Sequence, residues 1–249
     1  MGEKISGKRI AAYLVVAIFI PATIVVFAAF LPTNLFLPTA VLIALAAVAA
    51  FMLGFEKEAD NASKAVLAAV FTALSVAGRV VFAATPGFKP VFSMVIFAGI
   101  YLGGETGFLV GALTALLSNF IFGQGGWTVF QMFSWGLIGL VAGLLAPILR
   151  KNKVVLCIAG FLAGPLFSLV IDIWSTVWIY GTFSLESYLA TSLASLPFTI
   201  LHAISNVVFI LVLAEPMRKT MERVGVKYGL MPKKTELHGK RPRGPNKKC

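Results

Sequence analysis

The sequence predicts an all-α fold, a polytopic helical membrane protein with lipid as its solvent. Three observations carry this. Hydrophobic residues make up 59% of the 249-residue chain and charged residues only 12%, and the mean hydropathy is +0.92, too apolar a balance to clothe a water-soluble surface. Apolar stretches of the roughly 20 residues that cross about 30 Å of hydrocarbon recur almost from end to end. These runs exceed strand length and lack the dyad alternation of a membrane barrel.

Eight spans are expected, and they are taken in order. The first, 10–31, follows Lys8 and Arg9 and lacks a short apolar region with a small-residue cleavage site, so it reads as a retained span. Pro21 bends it, and Pro32 and Pro38 mark the turn into the second, 36–55. The third covers 64–84. The fourth, 90–103, ends among Gly99, Gly103 and Gly104 and is expected to be short or broken. The fifth covers 106–123, the sixth 128–149, the seventh 154–180 and the eighth 196–215. The chain therefore divides into an N-terminal extension of two transmembrane helices (1–63), a six-helix core (64–216) and a basic tail (217–249).

Short cytoplasmic loops carry an excess of Lys and Arg. Eight spans with the N-terminus inside place all of the 21 basic residues except Arg79 and Lys89 on the cytoplasmic side. Seven spans would send one basic cluster outside. Both termini are thus expected in the cytoplasm, with the chain in the cell membrane. The tail is read as topology and headgroup attraction rather than a nucleic-acid patch. Cys157 and Cys249 would tie a helix to a loose tail, so no disulfide is expected. His202 and His238 lack metal-ligand spacing, so no metal is expected.

No phosphate-cradling GxxxxGK[ST] loop, nucleophile elbow or HExxH occurs, so neither an enzyme nor a cofactor is expected. Ionisable groups inside a bilayer are costly and become functional candidates by default. Arg79 lies near the outer end of the third span, Asp172 two turns from the outer end of the seventh, and His202 two turns from the outer end of the eighth. Arg79 and Asp172 read either as an interhelical ion pair or as ligand contacts, two compatible roles. His202 and Asn206, one turn apart on one helix face, read as an interhelical hydrogen-bond pair in preference to a ligand site.

The outward loops look like a ligand mouth. Residues 84–90 bring Thr85, Phe88 and Lys89, and residues 122–128 bring Gln124 and Trp127. Ser118 and Asn119 precede the second loop, and Gln131 and Trp135 follow it on one helix face. Trp174, Trp178 and Tyr180 add aromatic surface that fits either an interfacial belt or a ligand wall. Ala65, Ala69, Ala73 and Ala77 form a smooth stripe that another helix can approach closely, whether inside the bundle or on a partner. Gly103, Gly107 and Gly111, then Gly139 and Gly143, then Gly160 and Gly164, repeat the small-residue spacing that ordinarily means internal packing.

Over residues 64–215, most strongly from Ala84-Thr85-Pro86-Gly87-Phe88-Lys89-Pro90 through Ser118-Asn119-Phe120 and the Gly123–Met132 stretch to Trp135-Gly136-Leu137-Ile138-Gly139, the chain resembles the substrate-binding (S) components of energy-coupling factor (ECF) vitamin transporters. Within them it looks most like the cobalamin and corrinoid branch. The resemblance implies a six-helix membrane bundle that captures a vitamin from outside and docks on a transmembrane scaffold protein with two ATPases. It further implies that loops 84–90 and 123–128 gate the pocket, and that the alanine stripe meets the scaffold.

Two rival classes stand beside this one. An autonomous secondary transporter would use Asp172 and His202 for proton coupling, although no internal repeat is seen. A membrane enzyme or assembly factor acting on a lipid would hold a phosphate at Arg79.

Overall fold

The most deeply placed helix is the shortest of the long ones. The computed structural model describes Leu42 and residues 62–227; the first two expected spans and the end of the basic tail lie outside the described residues. Six long helices and one short one follow in up-and-down order: α1 (Ala62–Val81), α2 (Val91–Leu102), α3 (Gly104–Phe122), α4 (Trp127–Leu144), α5 (Ala146–Leu149), α6 (Lys153–Tyr180) and α7 (Leu185–Lys227). Five of them are long and apolar enough to cross a membrane.

At 1.5 Å per residue, the 12 residues of α2 rise only about 18 Å, short of the hydrocarbon thickness. Every residue of α2 except Tyr101 is buried. It touches all the other helices, α1, α3 and α4 most extensively. A short helix whose ends need not reach water on their own is accommodated because its neighbours enclose it.

The turns follow local chemistry. Gly103 takes φ +101°, a value that side chains rarely adopt, and lets α2 reverse directly into α3. Its Cα faces open space, so it is a turn residue and not, as its spacing suggests, part of the packing row. The remaining glycines do pack. A Cβ on Gly107 would lie 2.6 Å from both the Gly139 carbonyl oxygen and the Gly99 Cα, and one on Gly164 would lie 2.9 Å from the Ala203 nitrogen. Backbones meet there without intervening side chains.

Two expected spans change. The sixth is broken at Leu145, where Pro147 starts the one-turn helix α5. The eighth extends far beyond 196–215, since α7 has 43 residues and contains Pro197 and Pro216. It is about 64 Å long at 1.5 Å per residue, twice the hydrocarbon thickness. Its C-terminal turns carry the exposed Glu215–Arg218–Glu222 and Glu215–Lys219 ion pairs, a solvated surface worth little stability. The polar stretch that precedes Pro197 hides the first three turns of this helix, residues 185–195, from a hydropathy reading.

Alternating helix directions put Lys64, Arg150, Lys151, Lys153, Arg218, Lys219 and Arg223 at one end of the bundle and Arg79 and Lys89 at the other.

Candidate functional site

The end that carries Arg79 and Lys89 holds a chain of polar side chains spanning three helices. Arg79, in the last turn of α1, donates from Nη1 to Ser118 Oγ and, at 2.7 Å, to Asn119 Oδ1. Asn119, buried near the end of α3, uses its amide nitrogen to donate to Gln131 Oε1 at 2.8 Å and to Thr128 Oγ1 at 3.0 Å on α4. Thr128 in turn donates to Gln124 Oε1 at 2.9 Å, and Gln124 Nε2 donates to the Leu116 carbonyl. One amide thus links α1 to α4 through α3, each of its atoms in use, as a buried amide requires.

Arg79 has no carboxylate partner among the described residues. Its guanidinium lies instead 4.6 Å from the centroid of Phe122 and 5.3 Å from that of Trp135, so π faces and amide dipoles alone offset its charge. Lys89, in the α1–α2 loop, places Nζ 5.1 Å from the same Phe122 ring. Partial burial and the neighbouring Arg79 hold the Lys89 pKa below the ordinary lysine value. Two cations therefore converge on one aromatic ring, and the site's field is positive.

Beneath Arg79 lies an aromatic cluster. Phe92 of α2 packs edge-on against Trp135, Phe167 and His202, at centroid distances of 6.0, 5.4 and 5.5 Å. Phe167 and His202 meet at 5.6 Å. Two polar atoms in this cluster, Trp135 Nε1 and His202 Nδ1, are buried with no hydrogen-bond partner. Such atoms are uncommon in native folds and ask for an explanation.

Other expected site residues are placed elsewhere. Thr85 donates its hydroxyl to the Phe82 and Phe88 carbonyls and serves its own loop. Phe88 packs with Phe82 and Phe209. Trp127 lies over Gly125, and Trp178, 67% exposed, stacks on Trp174 at 5.7 Å. The α1–α2 loop is held to α7 by Ser205, which accepts from the Lys89 amide at 2.9 Å and donates to its carbonyl. The alanine stripe, Ala65, Ala69, Ala73 and Ala77, is exposed along α1.

Arg79 and Asp172 do not form an ion pair. The Asp172 carboxylate accepts from Ser195 Oγ at 2.7 Å across the α6–α7 contact, whereas Arg79 faces α3. The two lie on opposite sides of the bundle because α4 and α2 pack between them. The expected His202–Asn206 pair also separates: Asn206 does bond across helices, to the Gly160 carbonyl at 2.9 Å, while His202 joins the aromatic cluster. Phe122 enters the sequence reading only as the first residue of the 122–128 loop, and Phe92 and Phe167 do not stand out there at all, since an aromatic in an apolar helix looks the same whether it faces lipid, core or ligand.

Comparison with known proteins gives the family. Neither curated proteins nor solved structures give a match. A family model described as "ECF-type riboflavin transporter, S component" matches residues 59–223, which is most of the chain and covers α1 to α6 and all but the last turn of α7. The apolar helices make the protein multi-pass in the membrane, and the family is one of transporter components. The chain belongs to the ECF-type S components, the membrane-embedded substrate-binding subunits of these transporters.

Proposed function

We propose that the protein captures a vitamin with a flat, electron-rich heteroaromatic ring, a flavin in the first instance, at the Arg79 end of the bundle. The single observation that carries this reading is the half-buried guanidinium of Arg79 without a carboxylate, set over Phe122 and Trp135 beside an amide chain. A ring with carbonyl and imide groups offers acceptors to Arg79, Lys89 and Trp135 Nε1, and faces that stack on the aromatic cluster. The riboflavin description of the family model supports the same choice. The corrinoid expected from the loop motifs is the rival ligand. It would need a far wider opening, with the α1–α2 and α3–α4 loops displaced. Riboflavin fluorescence titrated with purified protein, alongside mass spectrometry of co-purified small molecules, separates the two. Saturable quenching at one flavin per chain supports the reading; a bound corrinoid replaces the ligand and leaves the transporter role.

The ligand is then delivered with a scaffold protein and two ATPases, and the exposed alanine stripe of α1 is the face on which the scaffold's helices lie. Ala69→Leu and Ala73→Leu on this exposed face are expected to abolish co-purification with the scaffold while leaving ligand affinity within twofold. Unchanged assembly would discard the stripe as the interface. Proton coupling by Asp172 and His202 receives no support, since Asp172 bonds to Ser195 and His202 packs among Phe92 and Phe167.

A further inference from the structure

At the end of the bundle opposite Arg79, a cleft of about 120 Å³ opens between α2, the α5–α6 corner and α7. By liquid volume it has room for about four waters, the scale of a phosphodiester group. Its floor is apolar, with Phe97, Leu149 and Leu156. Its rim carries Arg150 and Lys153, and Arg218, whose three donor nitrogens are all bonded to Glu215 and Glu222.

Arg150 is held in place. Its Nε and Nη2 both donate to the Ile100 carbonyl, the former at 3.1 Å, and its guanidinium lies 5.4 Å from the Tyr101 ring centroid. This caps the C-terminal end of α2, where cations are favoured. Nη1 is left with no protein partner among the described residues. Partial burial holds the Arg150 pKa below its ordinary value, although a guanidinium remains charged. Lys153 makes only a long contact, 3.4 Å, to the Leu211 carbonyl. It opens α6, whose Val154 and Val155 amides are already taken by the Asn152 side chain, so the donors left over are those of Arg150 and Lys153. The cleft therefore has underused cationic donors above apolar walls, at the end of a membrane bundle that gathers most of the described basic residues.

We propose that this cleft is a binding site for the headgroup of an anionic phospholipid, with the phosphodiester between Arg150 and Lys153 and the start of an acyl chain against Phe97 and Leu156. An amphipathic, cation-rimmed cleft at the interfacial level matches this chemistry on both counts. The proposal is independent of the ligand at the other end.

The test uses the full chain in detergent micelles supplemented with phosphatidylglycerol or phosphatidylcholine, read by thermal unfolding and by native mass spectrometry. Phosphatidylglycerol is expected to raise Tm by several degrees over phosphatidylcholine and to persist as one retained lipid. Lys153→Gln with Arg218→Gln should remove most of that difference. Lys151→Gln with Lys219→Gln, which removes equal charge from residues that do not line the cleft, should preserve it. Equal loss in both double variants would overturn the proposal in favour of diffuse attraction by the basic surface. A Tm rise of the same size with inorganic phosphate alone would overturn it in favour of a free-anion site. Loss of scaffold co-purification in the cleft variant, with the lipid effect intact, would overturn it in favour of a protein contact.

Discussion

The α2–α3–α4 trio is built in two different ways along its length. At the basic end, Gly99, Gly104, Gly107, Gly139 and Gly143 bring backbones into direct contact, and a Cβ at any of them would meet a backbone atom or the Leu140 side chain. At the other end, side chains separate α3 from α4, where Asn119 bonds to Gln131 and Thr128, and Arg79 ties α1 to the same asparagine. Glycine contacts have no torsions to relax, so that end has one arrangement. Side-chain amides and a guanidinium can exchange partners by rotating, which under the proposed function lets that end accept a ligand while the other holds the helices together. A rigid base and an adjustable mouth are what a binding subunit requires.

The difference can be broken most drastically at the rigid end. Gly107→Leu has only backbone of Gly139 and Gly99 to push against. It is expected to cost at least about 3 kcal/mol and to abolish the monodisperse peak in size-exclusion chromatography. A folded, monodisperse variant would refute the rigid-base description.

At the mouth, Arg79→Ala should leave the protein folded, because Asn119 keeps its bonds to Gln131 and Thr128, but weaken ligand binding about a hundredfold, or about 2.7 kcal/mol. Titration of the purified variant checks this, and Arg79→Lys should recover only part of the loss, since an ammonium lacks the planar fork. Trp135→Phe keeps the ring and removes an indole N–H that has no protein partner. Truncating the buried indole to a phenyl should cost about 1 kcal/mol of stability, while affinity falls about fivefold to tenfold, the value of one hydrogen bond. Unchanged affinity would show that the indole N–H does not face the ligand.

The smallest expected effect concerns Lys89. Its folded pKa lies below its unfolded value, so in the window just below about 10.5 the unfolded chain binds more protons and stability rises with pH. The folded state bears a penalty from this charge at neutral pH that vanishes once the lysine is neutral in both states. Lys89→Gln should remove that part of the alkaline rise in Tm, a shift of about 1 °C or less; a steeper rise in the variant would contradict the sign.

The spans were legible because length and apolarity are one-dimensional properties, and α1, α3 and α6 fall within two or three residues of their expected bounds. The ends of α7 were not, because its first turns are mixed in polarity and Pro197 reads as a start. The site was legible in its members but not in its wiring. Arg79, Asn119, Gln124, Gln131 and Trp135 stand out as polar or amphipathic groups in apolar surroundings. The choice of Asn119 over Asp172 as the neighbour of Arg79 depends on which helices touch.

By itself, the sequence determined that this is a helical membrane protein with its cations gathered mainly at one end and amides and aromatics at the other, since hydrocarbon tolerates only closed backbone hydrogen bonding and penalises stray charge. The tertiary structure alone decided that the short α2 becomes the centre of the bundle, that Arg79 has no carboxylate partner among the described residues, and that His202 and Trp135 meet around Phe92. These are consequences of packing, and in a chain so uniformly apolar the hydrophobic pattern does not say which face of each helix is inside.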